Sequence, residues 1–153
     1  MGVLSGLEPE RVFYYFEEIC KIPHGSYHEK EISNYLVNFA KEHGFQVYQD
    51  ELYNVVMLVE ASKGYEEEEP LILQGHMDMV CEKTADSDMD MEKEGLKLAT
   101  DGEYVYAKDT TLGGDDGIAI AYMLAIAENS EIAHPPLELI ITVSEEVGME
   151  GAN

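Results

Sequence analysis

Basic residues are what this sequence has least of. Nine Lys and Arg stand against 32 Asp and Glu, a formal net charge of −23 over 153 residues. No basic patch is available to meet phosphates, which excludes nucleic acid as a partner and argues against anionic membrane surfaces. Cysteine is almost missing too: Cys20 and Cys81 are the only two, with no CxxC pair. Two thiols make no disulfide framework, and they fit a reduced, cytoplasmic protein. No apolar run approaches the ~18 residues of a membrane span, and the start shows no basic segment leading into an apolar one. What remains is a soluble, acidic chain of one-domain size, whose 45% hydrophobic content is enough for a real core.

Periodicity places the elements. Pro9 suits the first turn of a helix, and Val12, Tyr15, Phe16 and Ile19 recur at helical spacing up to Ile22-Pro23. A loop at 24–26 precedes a second helix that carries Ile32, Leu36, Phe39 and Ala40 on one face and stops at Gly44. Strands are predicted at 45–50 and 55–60, with an exposed acidic turn at 66–69. Residues 71–73 and 137–143 are almost continuously apolar, as in strands covered on both faces. Asp101-Gly102 joins 96–99 to 104–107 as a hairpin. Residues 118–127 are apolar nearly all round, the mark of a buried helix. The fold class is α/β, without repeat or linker.

Three short polar clusters sit at the ends of these apolar elements. Gly75-His76-Met77-Asp78 and Ser144-Glu145-Glu146 each follow a strand, and Gly113-Gly114-Asp115-Asp116-Gly117 opens the buried helix. Sites in such sheets form beyond the carboxyl ends of the strands. One imidazole with several carboxylates is the donor set for a divalent metal such as zinc, and for a metal-assisted hydrolase. Alternate residues of an extended segment point the same way, so Asp78 can hold the His76 ring in one tautomer while the other nitrogen binds metal. Glu145 and Glu146 point differently, so one can ligate while the other takes a proton from water. Asp115 can bridge two metals or cap the helix. Each feature alone is more often an ordinary loop pair, surface acid or cap; their joint placement carries the reading.

Other polar residues are set aside. Asp86-x-Asp88-x-Asp90 starts like a calcium loop but has Met91 and Lys97 where glycine and glutamate are needed. Cys81 reads as a plain thiol rather than a ligand. His24, His28, His43 and His134 take structural or solvent roles, with His24 and His134 as candidates to line a cleft.

The runs Leu73-Gln74-Gly75-His76-Met77-Asp78-Met79-Val80, Thr110-Thr111-Leu112-Gly113-Gly114-Asp115-Asp116-Gly117 and 142–152 around Ser144-Glu145-Glu146-Val147-Gly148 resemble those of the M20 metallopeptidases. The early Ile22-Pro23-His24-Gly25-Ser26 and the acidic loop 86–90 are similar to its aminoacyl-histidine dipeptidase branch. The resemblance implies a phosphorylase/hydrolase-like domain, a three-layer mixed sheet with helices on both faces. It implies a zinc pair, with Mn2+ or Co2+ as alternatives, held by His76, bridging Asp115 and Glu146. Asp78 would orient His76, and Glu145 would be the general base. Small peptides with a free N-terminus would be the substrate, histidine favoured second. Relatives carry alanine where Gly114 stands, and some carry asparagine where Asp116 stands.

They also run longer, with a further acidic ligand, a C-terminal histidine ligand and a lid or dimerisation domain. Residues 1–153 are therefore expected to be the N-terminal part of the catalytic domain, inactive alone and open to homo-oligomerisation. The alternatives are a non-catalytic binding or oligomerising module on the same fold, and an acidic metal buffer.

Overall fold

The computed structural model describes residues 2–153. Helices α1 (Glu10–Cys20) and α2 (Lys30–Glu42) precede strands β1 (Gln46–Gln49), β2 (Val55–Val59) and β3 (Leu71–His76). A hairpin of β4 (Leu98–Thr100) and β5 (Val105–Ala107) leads to α3 (Gly114–Glu128), then β6 (Leu137–Thr142) and a short 3-10 turn, Glu150–Ala152. The main sheet runs β1-β2-β6-β3, with β3 parallel to β6 and the other pairs antiparallel.

That order fixes where the polar clusters fall. Parallel neighbours need a crossover, and α3 supplies it between β3 and β6. The returning helix must begin over the carboxyl ends of the strands it joins. His76, the last residue of β3, thus pairs with Thr142, the last of β6, beside the start of α3.

The core follows the strand period. Val55, Met57 and Val59 of β2 and Leu137, Leu139 and Ile141 of β6 are buried against the helices. Ile19 of α1, Ile32 and Leu36 of α2, and Ile120 and Leu124 of α3 close the same cluster at full burial. α3 has sheet on one side and α1 on another, which accounts for its nearly all-apolar surface; Tyr122 alone among its large side chains stays exposed.

The expected mixed α/β sheet is present, but these residues supply helices to one face of it only. On the other face Leu58 is 42% and Ile72 56% exposed, and Val56 and Ile140 are half-buried. The reading of 71–73 as covered on both faces is corrected: Leu71 and Ile72 lie exposed on an edge strand. The first helix also ends two residues short of Ile22, at Cys20.

One polar clamp ties α1 to α3. Glu128 accepts from the Arg11 guanidinium in a bidentate pair, one arm at 2.8 Å, and from the Tyr15 hydroxyl at 2.5 Å. Arg11 also lies 4.3 Å over the Tyr14 ring. Burial alone would raise the Glu128 carboxyl, but the Arg11 and Tyr15 hydrogen bonds hold it below the ordinary glutamate value. A carboxyl depressed in the folded state stabilises fully above its unfolded value and ceases to as pH falls through the folded one. Glu128→Gln should therefore cost about 1 kcal/mol near neutrality, since Arg11 is half exposed. The gap to the parent should close in acid. Urea midpoints of the two proteins at about pH 7 and about pH 3 check this, and a gap independent of pH contradicts it.

Candidate metal centre

β3 ends on Gly75-His76, and the chain stays beside β6 for one more residue through the Met77 N–H on the Thr142 carbonyl, 2.8 Å. The 24–26 loop lies on the other side, where the Met79 N–H donates to the His24 carbonyl at 3.1 Å. Gly75 leaves room for Asp116: a Cβ there would stand 2.6 Å from the Asp116 carboxylate and 3.2 Å from Met123, so both side chains would have to shift. Gly113 turns the chain into α3 at φ 68°. Asp115 and Asp116 then have non-helical dihedrals, which swing both carboxylates towards the strand ends.

The His76 side chain is 9% exposed. Its Nδ1 donates to the Asp78 carbonyl at 3.0 Å and lies 3.3 Å from the Asp78 carboxylate. Backbone as well as side chain thus fixes this ring. The other nitrogen, Nε2, stands 3.1 Å from Asp115 Oδ1 and 3.8 Å from Glu145 Oε2. One ligand atom each from His76, Asp115 and Glu146 lie within 4.8 Å of one another, the one such group among the described residues. The sequence-predicted residues His76, Asp78, Asp115, Glu145 and Glu146 therefore converge.

Behind them lie two buried carboxylates. Asp78 accepts from the Ser26 hydroxyl at 2.7 Å, the Glu145 N–H at 2.9 Å and the Glu146 N–H at 3.3 Å. Glu29 accepts from both the N–H (2.9 Å) and the hydroxyl (2.8 Å) of Ser144, which sits in the left-handed region at φ 51°. Asp116 accepts the His76 N–H at 3.2 Å. Sequence reasoning missed Glu29 as a site residue, because nothing local marks an acid whose partners are more than a hundred positions away. Asp116 was legible only as a neighbour of Asp115.

The acids act on each other. Burial raises the Asp116 carboxyl, with Asp115 and Glu145 adding to it against the pull of His76. Partial desolvation raises Glu146, and Asp115, Glu145 and Asp78 push it further. Burial opposes charge on His76, yet the hydrogen bond to Asp115 and the fields of Asp78, Asp116 and Glu145 raise it overall.

The residues set aside earlier stay apart. His24 is buried, its Nδ1 bonded to the Ile22 carbonyl, and burial lowers its pKa. His134, with His43, lines a cleft of about 700 Å³. That cleft is bounded by 58–63 and Leu137, at the opposite end of the sheet from His76, so its size says nothing about the metal centre. Cys81 is an exposed free thiol outside the metal-binding group, and Asp90 pairs with Lys93 at 2.7 Å on an exposed turn.

No protein-family model matches the chain. It is 43% identical, over 99% of its length, to the cytosol non-specific dipeptidase of Escherichia coli, of which it spans 31%. It superposes on the aminoacylhistidine dipeptidase of Vibrio alginolyticus with a TM-score of 0.94 and 42% identity, covering 97% of this chain and 30% of that one. The chain is thus similar in sequence and in structure to these dipeptidases. A dinuclear metal-binding M20 peptidase from Bacillus subtilis shares the fold alone, with a TM-score of 0.54 and 11% identity, covering 90% of this chain and 36% of that one. The chain thus spans about a third of the length of the Escherichia coli and Vibrio relatives. No helix among its described residues is long and apolar enough to cross a membrane.

Asp78→Ala would orphan one hydroxyl and two backbone N–H groups in a buried place. The expected cost is about 3 kcal/mol, with faster amide exchange at Glu145 and Glu146 before global unfolding. Unchanged exchange at those two amides would contradict the coupling.

Proposed function

We propose that this chain carries the metal-binding face of a dinuclear metal-dependent peptidase acting on small peptides. The observation that carries it is the convergence of His76, Asp115 and Glu146, from three separate segments, to within 4.8 Å. The donor set fits: one neutral imidazole nitrogen, freed at Nε2 because Nδ1 is engaged by Asp78, and carboxylates from two loops. His76 would hold one zinc, Glu146 the other, and Asp115 both; Mn2+ and Co2+ suit the same donors. When bound, the metal pair supplies Lewis acidity to the peptide carbonyl and to water.

The rest falls to the chain. Glu145, half-buried and 3.8 Å from His76 Nε2, takes a proton from the attacking water and returns it to the leaving amine. Asp78 holds the His76 ring and, through the Glu145 and Glu146 amides, the turn that carries both glutamates. The dipeptidase names of the relatives support small peptides with a free N-terminus, and the histidine-second preference follows the Vibrio relative. The cytosolic name of the Escherichia coli relative and two unpaired cysteines support a cytoplasmic setting. Three protein ligands shared by two metals are fewer than a catalytic site keeps, so the chain by itself binds metal with little or no turnover.

Zinc titration tests this. His76→Ala and Asp115→Ala should each weaken binding at least about tenfold, while Glu145→Gln should change it by less than about threefold. Unchanged affinity in both alanine variants overturns the assignment. Calcium or magnesium binding that survives loss of His76 would instead indicate an acidic metal buffer.

The uncovered stripe of Val56, Leu58, Ile72 and Ile140 favours a second reading, a binding or oligomerising module on the same fold. Sedimentation over a concentration series decides it, and a monomer throughout removes self-association.

A further inference from the structure

Beside Glu146 opens a second, smaller cleft of about 400 Å³. Its walls come from the loop after α1, the segment after β3, the acidic loop near 91–92 and the turn after β6. Part of its lining is apolar: Met79, Val80, Met91 and Val147, with Tyr27, which is 62% exposed and has a left-handed backbone at φ 68°. The same lining carries Glu82, Glu92 and Glu146, all exposed, with His28 3.7 Å from Glu92 and no lysine or arginine. The free thiol of Cys81 also lies in the cleft. Because Glu146 belongs both to this lining and to the candidate metal-binding group, the cleft adjoins that group.

A lining that combines apolar residues with exposed acids suits a group that is cationic at one point and greasy beyond it. A peptide offers one such group at its amino end, an ammonium one bond from an apolar side chain; its carboxylate end would be repelled. We propose that this cleft is the subsite for the amino-terminal residue of the peptide, with Glu92 and Glu82 facing the ammonium and Met91, Val147 and Tyr27 receiving the side chain. The inference rests on the peptidase reading for its substrate, but its test does not depend on turnover.

Leucine amide carries the ammonium and the side chain without a carboxylate, and N-acetyl-leucine amide lacks the charge. Each is titrated into the zinc-treated chain while the methyl signals of Met79 and Met91 and the alkylation rate of Cys81 are followed; Cys20 is buried and does not compete. Leucine amide should shift both methyls and slow Cys81 alkylation saturably, and the acetylated form should do neither at the same concentration. Glu92→Gln should weaken leucine amide by about two- to fivefold, the scale of an exposed charge pair, and leave zinc affinity unchanged. Equal binding of both amides, or binding indifferent to Glu92, overturns the subsite, because the amine would then be sitting on the metal or nowhere specific. Silent Met79, Met91 and Cys81 signals in a chain that binds zinc through His76 overturn the subsite and leave the peptidase reading intact. Loss of His76-dependent zinc binding overturns the peptidase reading instead.

Discussion

The Asp78 carboxylate is the joint on which the candidate centre turns. It has almost no contact with solvent, and a buried carboxylate costs several kcal/mol unless donors surround it. No lysine or arginine meets it. Its donors are the Ser26 hydroxyl and the amides of Glu145 and Glu146, with the His76 ring alongside. Those donors come from the loop after α1, the end of β3 and the turn after β6. Satisfying one charge therefore locks three remote segments into register. Glu29 extends the arrangement by one residue: the amides of Ser144, Glu145 and Glu146 all donate to buried carboxylates. Consecutive amides turned inward onto anions form a nest, and the left-handed Ser144 allows that turn.

Stability and function oppose each other on the solvent side of that nest. Asp115, Asp116, Glu145 and Glu146 crowd one imidazole in a protein that already carries a net charge of −23. The shifts all answer to this crowding. Burial lifts Asp116 and Glu146 before their acidic neighbours do, and the same acids outweigh burial to lift His76. Every one of these changes keeps a proton in the cluster. A divalent cation relieves the same repulsion more effectively, so its binding should displace protons and tighten as pH rises. The acids repel one another without a cation, which is the electrostatic arrangement that the proposed metal site would need.

Much of this was legible in the sequence, for identifiable reasons. The helices announced themselves because their apolar faces repeat locally. The polar clusters announced themselves because each interrupts an apolar run at its end, and α/β geometry sends strand ends to one rim. What stayed hidden depends on partners distant in the chain. Leu71-Ile72-Leu73 looked doubly covered, but a continuous apolar run does not say which neighbour covers it, and β3 proved to be an edge strand with one open face. The insertion of β6 between β2 and β3 had no local signal either. Glu29 looked like an ordinary acid at a helix start because its partner, Ser144, lies 115 positions away.

The edge position of β3 has a use. In a central strand every amide is taken by the ladder, and the end of the strand is held by its neighbours. On an edge strand an amide can be free for another acceptor, and the His76 N–H goes to Asp116. That bond fastens the end of the strand to the start of α3 without a second strand. Gly75 makes room for it, since any side chain there would meet the Asp116 carboxylate. Asp115, the neighbour of Asp116, is thereby delivered to the Nε2 side of the ring of the same histidine whose backbone N–H Asp116 holds. Two adjacent acids thus divide the work: one anchors the backbone of the histidine and the other faces its free nitrogen. Asparagine at the second position would keep the acceptor oxygen while shedding a charge. At the first position it would remove the anionic donor that a shared metal needs.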